Sequence, residues 1–175
     1  MNTKSKLIEI FAPFFVAFGI TLLILSCTYL SKKFGINNLH EILYFIPKWV
    51  IIFVGYANVI TFIAVFFAGF FTLGRKGALG MADRLRDYGI YRYVRNPMYA
   101  GISFTFFGLG LILNNTGISV VGILWLIICF FQCRWEERYL ANKFGASYTE
   151  YKNKTPLFIP DFERMIRDLA GHLKK

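Results

Sequence analysis

Charge is scarce in this chain. Of its 175 residues only 17% are charged, against about 25% in an average soluble domain. Acids are the rarer sign, with ten Asp and Glu against twenty Lys and Arg. There are only three cysteines and two histidines. Cys27, Cys129 and Cys133 fall in or beside apolar runs and read as small hydrophobes. Cys129 and Cys133 share a helix face, but His40 and His172 lie far from them, so no metal site is expected. No internal repeat, low-complexity segment or second domain is visible. What is abundant is apolar: 56% of residues are hydrophobic, 19% are aromatic, and twenty are Phe. So much apolar side chain excludes disorder. The net charge is nonetheless +10, which leaves two classes, nucleic-acid binder and membrane protein.

The arrangement of the apolar residues separates these classes. Leu7 to Leu30 carries a single charge, Glu9, and Trp49 to Leu73 carries none. A span needs about 20 apolar residues to cross roughly 30 Å of hydrocarbon. Met98 to Leu113 and Gly117 to Cys133 are shorter and also uncharged, and Asn114, Asn115 and Thr116 make a polar turn between them. A soluble helical core would show polar faces, which these runs lack. The pattern predicts an all-α, polytopic membrane bundle of about four transmembrane helices. The expected spans are 7–30, 49–73, 98–113 and 117–133, in one domain over 1–175. Lys4 and Lys6 before an apolar run are also found in signal peptides. The run exceeds the usual h-region, so a retained first helix is expected.

Charge sorting supports this topology. With the N-terminus, residues 74–97 and everything after Cys133 on one side, only Lys32, Lys33 and Lys48 of the twenty basic residues fall on the other. The positive-inside rule then places both termini in the cytoplasm. The excess charge is explained by membrane orientation, and no nucleic-acid partner is expected.

Polar residues gather in two predicted cytoplasmic segments, 74–101 and 134–160. In the first, Asn96-Pro97 reads as a helix start, with Pro97 at the first helical position. The open N–H groups there are a seat for an anion, and Arg95 adds a bidentate donor suited to a carboxylate. Tyr91, Tyr93 and Tyr99 bring aromatic faces. Arg and Tyr at a membrane boundary also serve as simple anchors. Gly74, Gly77 and Gly80 follow no strand, so they are not a dinucleotide fingerprint and read as a turn.

In the second segment the fourth helix is expected to run on to Phe144 and stop at Gly145. Glu137 has Arg134 at i−3. Glu136 has no Lys or Arg at i±3 or i±4, which makes it available for a cation or for hydroxyls. Arg134 and Arg138 share a face and repel mildly. The same charges would also suit a solvated helix at a headgroup surface. Together the two segments offer an Arg and a helix start for a carboxylate, a Glu for an ammonium or ribose, and aromatic faces for an onium cation. These are the requirements of S-adenosylmethionine.

The stretch Gly89-x-Tyr91-Arg92-x-x-Arg95-Asn96-Pro97-x-Tyr99-x-Gly101 resembles the Arg-His/Asn-Pro-x-Tyr signature of the isoprenylcysteine carboxyl methyltransferase and phospholipid methyltransferase superfamily. Glu136-Glu137-x-x-Leu140-x-x-x-Phe144-Gly145-x-x-Tyr148-x-x-Tyr151, followed by Pro156-Leu157-Phe158-Ile159-Pro160, resembles its C-terminal signature. The two flank a helical hairpin, as in that family. The resemblance implies a membrane-embedded methyltransferase that binds S-adenosylmethionine on the cytoplasmic side. It carries cofactor contacts to Tyr91, Arg95, Asn96, Pro97, Tyr99, Gly101, Glu136 and Glu137. The sequence departs from the pattern in having Asn96 where His is common, Leu157 where Arg is usual, and Gly77 to Leu85 in place of a proline-rich stretch. Asn96 excludes a His base at that position.

Methyl transfer from a sulfonium requires in-line alignment and exclusion of water. Arg134, Arg138 and Tyr148 are the candidates for orienting the acceptor, a lipophilic or small thiol, carboxylate or amine drawn from the bilayer. Two other classes stay open: an NADPH-dependent membrane reductase related to sterol reductases, and a non-catalytic membrane protein on the same scaffold. In the tail, 161–175, Phe162, Met165, Ile166, Leu169 and Leu173 recur at helical spacing among Arg164, Arg167, Lys174 and Lys175. This reads as a basic amphipathic helix lying on the bilayer, or as one packed on the rest of the chain.

Overall fold

A computed structural model describes residues 3–78, 85 and 87–173, with side chains for 18–73, 85 and 87–171. Seven α-helices occur among them: α1 (Thr3–Lys33), α2 (Leu39–Ile42), α3 (Lys48–Ala78), α4 (Pro97–Ile112), α5 (Thr116–Phe144), α6 (Ala146–Lys154) and α7 (Phe162–Leu173). A 3₁₀ turn spans Gly89–Arg92. The described residues contain no strand, so the all-α expectation holds for them. Two helices, Lys48–Leu73 and Thr116–Phe144, are long and apolar enough to cross a membrane. Helix α4 is apolar but short. At about 1.5 Å per residue its 16 residues reach roughly 24 Å, less than the roughly 30 Å of hydrocarbon.

Two predicted boundaries coincide with observed ones: α4 begins at Pro97, and α5 ends at Phe144. One expectation is corrected. The sequence predicts a turn at Gly74, Gly77 and Gly80, but α3 continues to Ala78 and takes Gly74 and Gly77 into the helix. A glycine costs a helix interior about 1 kcal/mol, which a helix of 31 residues can absorb. Gly80, Arg84, Arg86, Lys174 and Lys175 lie outside the described residues, as do the side chains of Lys4, Lys6, Arg75, Lys76, His172 and Leu173.

The chain divides into two compact units, Met1–Val59 with Thr105–Leu124, and Ile60–Phe104 with Trp125–Lys175. In the first unit, α1 meets the start of α5 closely. A Cβ on Gly117 would lie 2.6 Å from Thr28 Cα, the kind of backbone approach that small residues permit between membrane helices. The connection after α1 is tied to the α4–α5 turn. Thr116 N–H donates to Asn37 O at 3.0 Å, and His40 N–H donates to Asn114 Oδ1 at 2.7 Å. Asn114 takes a positive φ of 52°, a conformation Asn tolerates better than most residues.

The second unit is built on Phe62, Val65, Val94 and Ala100, with Ile90, Phe104 and Phe158 packed around them. Phe62 and Phe104 stack with centroids 4.3 Å apart. Gly101 sits where α4 crosses α3, since a Cβ there would fall 2.5 Å from Phe66 Cβ and 2.9 Å from Phe62 O. This crossing sets the direction in which α4 leaves its buried first residue, Pro97.

Candidate functional site

All the residues of this site belong to the second unit. Its foundation is a stretch of paired backbone. Between the 3₁₀ turn and α4, residues 93–96 lie beside the segment that follows α6. Arg95 N–H donates to Pro156 O at 2.9 Å, Asn96 N–H to Leu157 O at 3.1 Å, and Asp161 N–H to Tyr93 O at 2.9 Å. Tyr151 Oη–H adds a bond to Tyr91 O at 2.9 Å. Val94 is wholly buried between these strands of chain. Pro97 lacks an N–H, and the first helical bond of α4 runs from Ala100 N–H to Asn96 O at 3.1 Å. The start of α4 is therefore held by the C-terminal segment.

Two carboxylates face this start from α5, in different settings. Glu137 is 7% exposed and is held by three cations. Arg95 donates to its Oε1, Lys152 Nζ lies 2.7 Å from Oε2, and Arg134 lies 3.4 Å from the same oxygen. Buried charge persists where several partners compensate its desolvation. Glu136, one residue earlier, has no ion pair among the described residues. It accepts a 3.0 Å hydrogen bond from Tyr99 Oη, and Gln132 Nε2 lies 3.4 Å from the same oxygen. Gln132 also donates to Tyr99 Oη at 2.9 Å.

One buried donor here has no partner. Arg95 uses its terminal nitrogen on Glu137, yet its Nε–H, shielded from solvent, finds no acceptor among the described residues. An unsatisfied buried donor costs about 1–3 kcal/mol and marks a position where an acceptor would be favoured. Tyr148 and Tyr151 on α6 are held neutral. Burial first, and then the Glu137 charge, push the Tyr148 phenol up, while Arg95 pulls it back. Burial and the neighbouring Tyr91 push Tyr151 up.

The structure thus brings together Arg95, Tyr99, Arg134, Glu136, Glu137 and Tyr148 of the predicted residues. Tyr91 is buried and joined to the group through Tyr151. Asn96 and Pro97 contribute the helix start. Gly101 lies at the α3–α4 crossing, where its missing side chain serves packing. Arg138 is exposed. Sequence reasoning missed Lys152 and the Arg95–Glu137 pair, whose partners are 42 residues apart. No local spacing signals either contact. Gln132 stands at i−4 from Glu136, a spacing that places the two on one helix face. Among the described residues no three His, Cys, Asp or Glu side chains converge as a metal site.

Two helices long and apolar enough to cross a membrane, one of them ending in a buried, ion-paired cluster, fit the class of helical membrane proteins. More narrowly, the chain belongs to the phospholipid methyltransferase family, whose model matches residues 50–147. It is similar to protein-S-isoprenylcysteine O-methyltransferase of Saccharomyces cerevisiae, at 39% identity over 74 residues, which are 41% of this chain and 30% of that protein. The enzyme of the same name from Schizosaccharomyces pombe is 39% identical over 74 residues, 41% of this chain and 31% of that protein. That of Dictyostelium discoideum is 40% identical over 74 residues, again 41% and 31%. The chain thus spans about a third of the length of these curated relatives. No solved structure matches it.

Proposed function

We propose that this protein is an S-adenosylmethionine-dependent membrane methyltransferase. The observation that carries the reading is the division of labour between two adjacent glutamates. Glu137 is engaged by Arg95, Lys152 and Arg134, while Glu136, among the described residues, accepts hydrogen bonds from neutral donors and makes no ion pair, which leaves it available to a ligand. A cofactor with a carboxylate, an ammonium, a ribose and a sulfonium suits this arrangement. The unpartnered Arg95 Nε–H and the α4 start would take the carboxylate. Glu136 would take the ammonium or ribose hydroxyls, and Tyr91 and Tyr99 would flank the cation. When bound, the cofactor supplies an electrophilic methyl group. The protein's part is to align the donor and keep water out, with no need for a strong base.

The acceptor side is assigned to Tyr148, Arg134 and Arg138. Tyr148 stays protonated at neutral pH and can donate a hydrogen bond. The two arginines suit an anionic acceptor, whose charge would be neutralised as the methyl moves. The relatives' names speak of O-methylation and of a protein S-isoprenylcysteine; for this chain we assign only a lipophilic or small thiol, carboxylate or amine. In this reading the chain is one multi-pass domain of four spans, with both termini and the 134–160 segment in the cytoplasm. The soluble cofactor enters from that side and the acceptor from the bilayer. The test is unbiased: purified protein in native lipid extract receives S-adenosylmethionine carrying a labelled methyl group, and the labelled product is identified. Label in a lipid or lipophilic thiol, carboxylate or amine supports the reading. Cofactor binding with no transfer to any acceptor supports the non-catalytic scaffold instead.

A further inference from the structure

Helix α7 is strongly amphipathic, and it leaves much of its apolar face uncovered, unlike a surface helix of a soluble domain. Arg164 and Asp168 of its polar side are turned to the protein, while Glu163 and Arg167 are exposed. Asp168 accepts a 2.8 Å hydrogen bond from Tyr93 Oη and lies 3.7 Å from Arg92, and Arg164 donates to Arg92 O at 3.2 Å. Asp161 caps the helix, with Oδ1 accepting from Arg164 N–H at 2.9 Å. The apolar side is left outward. Phe162, Ile166 and Leu169, at i, i+4 and i+7, are 41%, 65% and 58% exposed. An apolar face turned to water is costly unless something apolar covers it.

We propose that α7 docks on the bilayer surface, its Phe162–Ile166–Leu169 face set among the acyl chains and its basic residues toward anionic headgroups. Two observations select lipid as the occupant. The chain already carries two helices long and apolar enough to cross a membrane, so a bilayer is at hand. The outward face is also bordered by exposed Arg167, which lies 3.4 Å from the exposed Glu163, and the sequence continues into Lys174 and Lys175, a basic end suited to an interfacial helix. Arg92 and Tyr93, which hold α7, directly precede Arg95 and the start of α4. Docking therefore fixes the height of that helix start relative to the headgroups. This inference does not depend on the chemistry assigned to the site.

The test uses full-length protein in vesicles of phosphatidylcholine, with and without phosphatidylglycerol. Ile166→Cys is labelled with an environment-sensitive fluorophore, and Glu150→Cys, on α6, is the comparison. Cys27, Cys129 and Cys133 are buried, and the unsubstituted protein reports their background labelling. Docking predicts several-fold stronger quenching by spin-labelled lipid at position 166 than at 150, increasing with phosphatidylglycerol. Quenching at 166 by aqueous iodide and not by lipid overturns it. So does a lipid-insensitive blue shift that follows protein concentration or cross-links two copies, which would make the face a protein–protein contact. Ile166 is well exposed, so the Cys variant should fold, and an unchanged helical circular dichroism spectrum verifies that.

Discussion

Glu136 and Glu137 are neighbours in sequence with opposite relations to the fold. Removing Glu137 strands Arg95, a largely buried guanidinium, so Glu137→Ala is expected to destabilise the protein by about 3–5 kcal/mol. Glu136→Gln leaves the ion pairs of the described residues intact and should melt near the parent. It should nonetheless weaken binding of S-adenosylhomocysteine about 10–100-fold, the worth of a charged hydrogen bond. Thermal melting and calorimetric titration of both variants separate the two roles. Equal losses of stability would refute the distinction. Tyr93 offers a pH test. Its hydrogen bond to Asp168, then burial, raises its phenol above the usual value. A folded pKa above the unfolded one means that the stabilisation is complete below about pH 10 and is lost as pH rises through the folded value. In a tyrosinate absorbance titration, the difference between parent and Tyr93→Phe should therefore rise at higher pH than for an ordinary tyrosine. A step at the ordinary tyrosine pH would contradict this.

At the scale of elements, the turn between α5 and α6 aims the second half of the site. Gly145 sits at φ 56°, ψ −128°, a region open essentially to glycine alone. Gly145→Ala should cost about 1–3 kcal/mol and displace α6, which carries Tyr148, Tyr151 and Lys152. The displacement reads out as weaker cofactor binding together with a lower melting temperature. Lys152 isolates the electrostatic part of that effect. Lys152→Ala should raise the KM for S-adenosylmethionine with little change in kcat, and Lys152→Arg should restore it. Failure of Arg to rescue would make Lys152 a packing residue only. Much at this scale was legible in the sequence. Pro97 and Gly145 mark helix ends because their backbones permit little else, and Asn114 marks the hairpin turn for a similar reason. The overrun of α3 past Gly74 and Gly77 was not legible, because a glycine's modest local cost does not by itself end a long helix. The pairing of residues 93–96 with 156–161 was not legible either. It is made by backbone groups whose partners local sequence does not specify.

For the molecule as a whole, the basic bias of the sequence and the site make one proposal. The segments carrying Arg95, Glu136, Glu137 and Lys152 are those that charge sorting assigns to the cytoplasm, while His40 and Lys48 fall on the other side. Cysteine accessibility in oriented vesicles checks it. Tyr44, 84% exposed, replaced by Cys should be labelled from the face opposite to Glu150→Cys. Labelling of both from one face would reverse the topology. The central claim is that the cluster at the start of α4 binds S-adenosylmethionine. Isothermal titration of the purified protein with S-adenosylhomocysteine tests it most directly. Saturable, single-site heat that is strongly reduced in Glu136→Gln is the expected result. No saturable heat at millimolar ligand, from protein that melts cooperatively, would contradict it.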